Sequence, residues 1–185
     1  MIKTKKDLKE YIELDTINNY YGHRKKFNPI YKYLVLLRKT EYHINSNHRI
    51  RSLIYRIKFN SMCYKYLTFI PLNCFGPGLS IAHLGCIYVN QNAKVGSNCR
   101  IHEMVTIGAT SGDNSAPVLG DNIFIGTGAK IIGAIEIAND VAIGAGAVVV
   151  KSIFDSNTTW AGVPAIRISN NDSHKHLKIF TNKDN

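Results

Sequence analysis

An aliphatic residue recurs at every sixth position through much of this chain. The file runs Val89, Val95, Ile101, Ile107, then Leu119, Ile125, Ile131, Ile137, Ile143 and Val149. Neither the 3.6-residue period of an amphipathic helix nor the alternation of a half-buried strand repeats at six. A parallel coil that stacks on itself does, with three six-residue sides per turn and the aliphatic residue inside. Two further columns agree. The next residue is often glycine (Gly96, Gly108, Gly120, Gly126, Gly144), which suits a sharp corner. Four positions after the aliphatic residue comes a small or β-branched one: Ala93, Cys99, Val105, Ile123, Ala129, Ile135, Val141 and Ala147. Such residues let corners pack inside a narrow prism. The fold expected is mainly β, a hexapeptide-repeat β-helix over residues 71–168.

Residues 1–70 follow a different pattern. Ile30, Tyr33, Leu34 and Leu37 recur at helical spacing, as do Ile50, Leu53, Ile54 and Ile57. Asn28-Pro29 reads as a helix start and Asn45-Ser46-Asn47 as a break. An N-terminal helical module that caps the open end of the coil is therefore expected. Residues 169–185 are read as a C-terminal tail, poorly ordered over 171–185 apart from any packing of Leu177, Ile179 and Phe180.

The coil breaks register twice. Ile81 to Val89 spans eight residues, so that rung bulges around His83. Between Ile107 and Leu119 the intervening aliphatic residue is replaced by Asp113, within a turn-rich excursion over residues 109–118. Loops interrupting a rigid scaffold are where sites collect.

Charge separates the two modules. Residues 1–70 hold 15 Lys/Arg against 5 Asp/Glu, and residues 71–185 hold 8 against 8, so the net charge of +10 lies entirely in the first part. A basic surface of this kind attracts anionic partners and admits peripheral contact with a membrane face. The stretch lacks a nucleic-acid-binding motif, and nucleic acid is not expected as a partner. The opening residues have no apolar run of the secretory type, and a cytoplasmic location is expected. Cys63, Cys74, Cys86 and Cys99 form no metal-binding spacing and are expected to be reduced, buried or half-buried thiols. The coil contains two histidines, too few for a three-histidine zinc site, so no metal is expected.

Three segments carry a resemblance: Phe75-Gly-Pro-Gly-Leu-Ser-Ile-Ala-His-Leu-Gly-Cys-Ile-Tyr-Val-Asn90, Ile101-His-Glu-Met-Val-Thr-Ile-Gly108, and Thr158-Thr-Trp-Ala-Gly-Val-Pro-Ala165. In these the chain resembles the serine acetyltransferase family of left-handed hexapeptide β-helices. It looks closest to short members of the colanic-acid O-acetyltransferase type. The resemblance implies acetyl-CoA as cosubstrate, a homotrimer with sites between subunits, and His83 as the general base that deprotonates an acceptor hydroxyl. It places the pantetheine arm at corners around Gly126, Thr127, Gly144 and Ala145, with Lys151 and Arg167 near the CoA phosphates. His102 lies 19 residues beyond His83, close to one full coil, and is a candidate partner in the site. Asp113 and Asn114 of the excursion are candidates for binding acceptor hydroxyls.

Two departures separate the chain from serine acetyltransferases themselves. Ala82 stands where that family has an acidic residue before the base, and Ala116 stands where it has a second histidine. The function expected is acetylation of a sugar hydroxyl in a capsular or other surface polysaccharide, with an anionic polymer as one form of the acceptor. Serine O-acetylation for cysteine biosynthesis is the alternative.

Overall fold

The computed structural model describes residues 1–19, 26–110 and 114–178. Three helices come first: α1 (Lys5–Asn18), α2 (Pro29–Asn45) and α3 (Arg49–Tyr66). Thr4 caps α1 in a reciprocal box with Asp7, whose carboxyl is lowered to about 2 by the Lys3 and Thr4 backbone amides it accepts from. The Asn28 side chain accepts from the Ile30 amide, and Pro29 opens α2 with a ring already set for helix. The break at Asn45-Ser46-Asn47 separates α2 from α3, as the sequence indicates.

Short strands follow: β1 (Thr68–Phe69), β2 (Ser80–Ile81), β3 (Ile87–Val89), β4 (Lys94–Val95), β5 (Arg100–Ile101), β6 (Thr106–Gly108), β7 (Val118–Leu119), β8 (Phe124–Ile125), β9 (Lys130–Ile132), β10 (Glu136–Ile137), β11 (Ala142–Ile143), β12 (Val148–Val149), β13 (Thr159–Ala161) and β14 (Ile166–Ser169). They build the three faces of a left-handed parallel β-helix. The first face is β1-β3-β6-β9-β12, the second β4-β7-β10, and the third β2-β5-β8-β11-β13-β14. Among the described residues only the β13–β14 pair is antiparallel, where the chain turns back at the end of the coil.

The aliphatic file lies inside. On the third face Ile81, Ile101, Ile125 and Ile143 stack in register, all buried. The second column is buried too, from Ala93 and Cys99 to Ala147. Each enclosed aliphatic side chain contributes about 1.5–3 kcal/mol relative to exposure, so the stack is the main apolar stabilisation of the prism. Coil lengths on this face differ: twenty residues separate Ile81 from Ile101, twenty-four separate Ile101 from Ile125, and eighteen separate Ile125 from Ile143. The first excess is the bulged rung around His83. The second is six extra residues between β6 and β7, the interval in which the sequence breaks register.

The helices dock on the first coil through a buried charged cluster. Arg38 of α2 is fully enclosed. Its Nε donates to Asp15 at 2.8 Å, its Nη1 to Glu41 at 3.1 Å, and its guanidinium also donates to the Phe75 and Gly76 carbonyls. Asp15 in turn accepts from the Gly78 and Leu79 amides, and Asn19 accepts from the Ile81 amide at 3.0 Å. Burial pushes the Asp15 and Glu41 carboxyls upward against the pull of Arg38. Burial also works against the Arg38 charge, but the two carboxylates outweigh it and raise its pKa.

A polar file runs along the corner between the second and third faces. Asn18 Nδ2 donates to Asn98 Oδ1 at 3.2 Å, Asn98 Nδ2 to Asn122 Oδ1 at 3.0 Å, and Asn122 Nδ2 to Asp140 Oδ1 at 2.8 Å. Asn98, Asn122 and Asp140 all sit at positive φ, between 57° and 60°, where short polar side chains are tolerated. His174 Nε2 meets Asp140 at 2.7 Å from the other side.

Two expectations are corrected here. Cys86 is exposed, because the bulge that presents His83 also turns this residue out of the core, while Cys63, Cys74 and Cys99 are buried thiols. The tail packs back on the coil through residue 178: Ser173 and Leu177 are buried, and a 3-10 turn covers His174–His176. Ile179 and Phe180 lie outside the described residues.

Replacing Arg38 by Ala leaves two carboxylates enclosed without their cation. The expected cost is about 3–5 kcal/mol of unfolding free energy, read as a lowered urea midpoint.

Candidate active site

The corner between the third and first faces gathers the residues of interest. Parallel stacking passes each amide to a carbonyl on the next coil. Ala82 N donates to Ile101 O at 3.0 Å, His102 N to Ile125 O at 3.1 Å, Gly126 N to Ile143 O at 2.8 Å, and Gly144 N to Trp160 O at 2.8 Å. This file brings His83, His102, Gly126, Thr127, Gly144 and Ala145 to one edge of the prism. A Cβ on Gly126 would lie 2.7 Å from the Ala145 amide nitrogen, so coil spacing itself demands glycine there. Gly146, two residues past Gly144, has a φ of +67° and no atom within 4 Å of an added Cβ, leaving the outside of the corner open.

His83 is exposed on its bulge, and its ring stands edge-on to that of His102 with centroids 6.3 Å apart. His102 is half-buried. Burial first, and then the Arg100 charge, push its imidazole below the ordinary histidine value of 6.5, with Glu103 opposing. A neutral ring results at neutral pH. Glu103 is anchored by Thr127, whose hydroxyl donates to Oε1 at 2.7 Å and holds the carboxyl below its usual range. The other Glu103 oxygen lies 3.9 Å from His102 Nδ1. That oxygen and His102 Nε2 are both shielded from solvent and have no hydrogen-bond partner among the described residues. Unsatisfied polar atoms at a site mark positions a ligand or partner group can fill.

Beside the histidine pair lies a cleft of about 450 Å³ lined by Arg100, His102, Phe124, Lys175, His176 and Lys178. Phe124 forms its floor, edge-on to His102 at 5.2 Å and stacked on His176 at 4.5 Å. Arg100 donates to Ser80 Oγ at 3.1 Å, which turns the guanidinium along the face toward β2. The cleft is cationic and has an aromatic wall, a surface suited to a small anionic group.

Other candidates lie elsewhere. Lys151 is exposed at the next corner, after β12. Arg167 on β14 is committed to Asp155 at 3.2 Å and Asn170 at 2.7 Å. Asn114 sits on the excursion, at a different corner from His83, where its carbonyl accepts from Asn92. Asp113 lies outside the described residues. Sequence reading missed Arg100, Phe124, Lys175 and His176. The signal for the first two was present: each directly precedes an inward isoleucine, so each points outward on successive coils.

The comparisons with known proteins agree with this fold. A segment of 107 residues is 37% identical to the serine acetyltransferase of Escherichia coli (strain K12), covering 57% of this chain and 39% of that protein. A segment of 111 residues is 33% identical to the serine acetyltransferase of Staphylococcus aureus (strain Mu50 / ATCC 700699), covering 55% and 52%. The chain thus spans about half or less of the length of these relatives. The crystal structure of serine acetyltransferase in complex with coenzyme A from Brucella abortus strain S19 aligns with a TM-score of 0.70 and 25% identity, over 90% of this chain and 68% of that one. No protein-family model matches the chain. In sequence and fold the chain is similar to hexapeptide-repeat acyltransferases of the serine acetyltransferase kind. The expected surface-polysaccharide acceptor is overturned: the matched proteins carry the name that belongs to the alternative, serine O-acetylation.

In a pH titration followed by NMR, the His102 ring protons are expected to shift with a midpoint below 6.5. Arg100→Gln should move that midpoint up, and Glu103→Gln should move it further down, since the first removes a like charge and the second an opposite one.

Proposed function

We propose that the chain is an acetyl-CoA-dependent O-acetyltransferase that uses L-serine as acceptor and His83 as general base. The observation that carries this reading is the exposed His83 imidazole beside His102, at the glycine corner and next to a cationic cleft.

An alcohol is a weak nucleophile at neutral pH. The His83 ring takes the hydroxyl proton as the oxygen attacks the thioester carbonyl; the C–O bond forms, the C–S bond breaks, and the proton passes to the departing thiolate. General-base help of this kind is worth about 10²–10⁴-fold. The neutral His102 ring keeps a second positive charge away from His83 and presents its unpaired Nε2 to the site. Serine brings a carboxylate with its hydroxyl, and Arg100 with Lys175 supplies the matching charge in the cleft. These groups take over acceptor binding in a chain that has Ala82 and Ala116 where serine acetyltransferases carry an acid and a histidine.

The pantetheine arm is assigned to the corner of Gly126, Thr127, Gly144 and Ala145. Backbone stacking forbids a side chain at Gly126 and Gly144 leaves little room for one, and a slender chain fits against such a surface. Lys151, exposed on the adjacent corner, is assigned to the CoA phosphates. Arg167, already engaged by Asp155 and Asn170, is left out of that role. The assembly proposed is a homotrimer. Asn114 leaves the coil at a corner that does not carry His83, so it meets an acceptor at His83 only from a neighbouring subunit.

The test is release of free CoA thiol from acetyl-CoA with L-serine present. Turnover is expected with wild-type protein, and His83→Ala should lower kcat by about 10²–10⁴-fold. Arg100→Gln should raise the KM for serine about tenfold while kcat changes little. An unchanged rate in His83→Ala removes the base, and absence of turnover with serine removes the acceptor.

A further inference from the structure

The face of α3 turned away from the coil is apolar apart from Ser61. Phe59 and Cys63 are buried beneath the helix, so the opposite side looks into solvent. That side carries Ile50, Leu53, Ile54, Ile57 and Tyr64, which are 45–78% exposed. Their spacing sets them on a single stripe, spanning about 21 Å at 1.5 Å per residue. At 100° per residue Arg51, Lys58 and Lys65 border the stripe on one side, and Arg49 and Arg56 on the other. All five are exposed, and α3 contains no acidic residue.

We infer that this face docks α3 flat on an anionic lipid surface. An aliphatic stripe rimmed on both sides by cations fits the boundary between acyl chains and headgroups: the stripe enters the apolar layer while the rims meet phosphates. A second copy of the chain fits poorly. A two-fold pairing of the stripe would set the basic rims of both copies against each other with no carboxylate on either helix to compensate. Nucleic acid would satisfy the rims but leave the aliphatic centre against phosphates. The helix lies on the membrane rather than crossing it, since no helix among the described residues is long and apolar enough to span one. Docking is independent of the acceptor, because none of these residues belongs to the histidine corner or the cationic cleft.

Flotation of the purified chain with vesicles tests this. Binding is expected to vesicles containing phosphatidylglycerol, to be weak with phosphatidylcholine alone, and to fall at high salt. The Ile54→Glu/Ile57→Glu variant changes two exposed positions, so its circular dichroism and acetyl-CoA thiol release should match wild type. Its affinity for phosphatidylglycerol vesicles should fall about tenfold or more. Three results overturn the inference: no binding to phosphatidylglycerol vesicles at low salt, binding unchanged in the variant, or wild-type self-association that the variant abolishes.

Discussion

In a parallel coil every edge amide must find its carbonyl one turn away, and that constraint organises the rest of this molecule. It holds the coils at a fixed separation, demands glycine where a neighbouring coil's backbone closes on the corner, as at Gly126, and orders the outward side chains into vertical files. His83 and His102 are neighbours because the amides of Ala82 and His102 are spent on consecutive coils. The corner is therefore rigid before any substrate arrives. Rigidity of this kind lets a small number of side chains act with defined geometry.

The helical module closes the end of the coil where edge amides would otherwise lack partners. It does so with charge as well as with apolar contact. Arg38, Asp15 and Glu41 are costly to enclose, and their hydrogen bonds to the chain from Phe75 to Leu79 compensate for that cost. Those residues lead directly into β2 and the His83 bulge. The cluster thus fixes the point from which the bulged rung departs, and it ties the position of the general base to the packing of α1 and α2.

Much of this was legible in the residues. The six-residue period gave the prism, its inner column and both interruptions, since burial on three faces admits no other spacing. The pairing of His83 with His102 followed from counting nearly one turn between them. The cleft did not follow. Arg100 and Phe124 stand side by side on adjacent strands although twenty-four residues separate them, and Lys175 and His176 reach the cleft only because the tail reverses. No local pattern encodes a return of that kind. The acceptor was misjudged because Ala82 and Ala116 were read as the loss of a serine site, whereas cationic groups on other elements stand nearby. On α3 the spacing marked an apolar stripe correctly but could not say which way it would face; Phe59 and Cys63 won the contact with the coil, leaving Ile50 to Ile57 outside.

The amide file from Asn18 to Asp140 has a direction. Each asparagine in it donates to the next residue, and Asn98 and Asn122 also accept from the one before. A one-way series needs a terminus that only accepts, and a carboxylate supplies it; a fourth asparagine at position 140 would leave the choice of donor and acceptor open. Because a carboxylate has lone pairs to spare, Asp140 also meets His174. The final stop of the file is thereby the hook that reverses the chain, and the aromatic wall of the cleft inherits its place from a row of side chains that begins in the first helix.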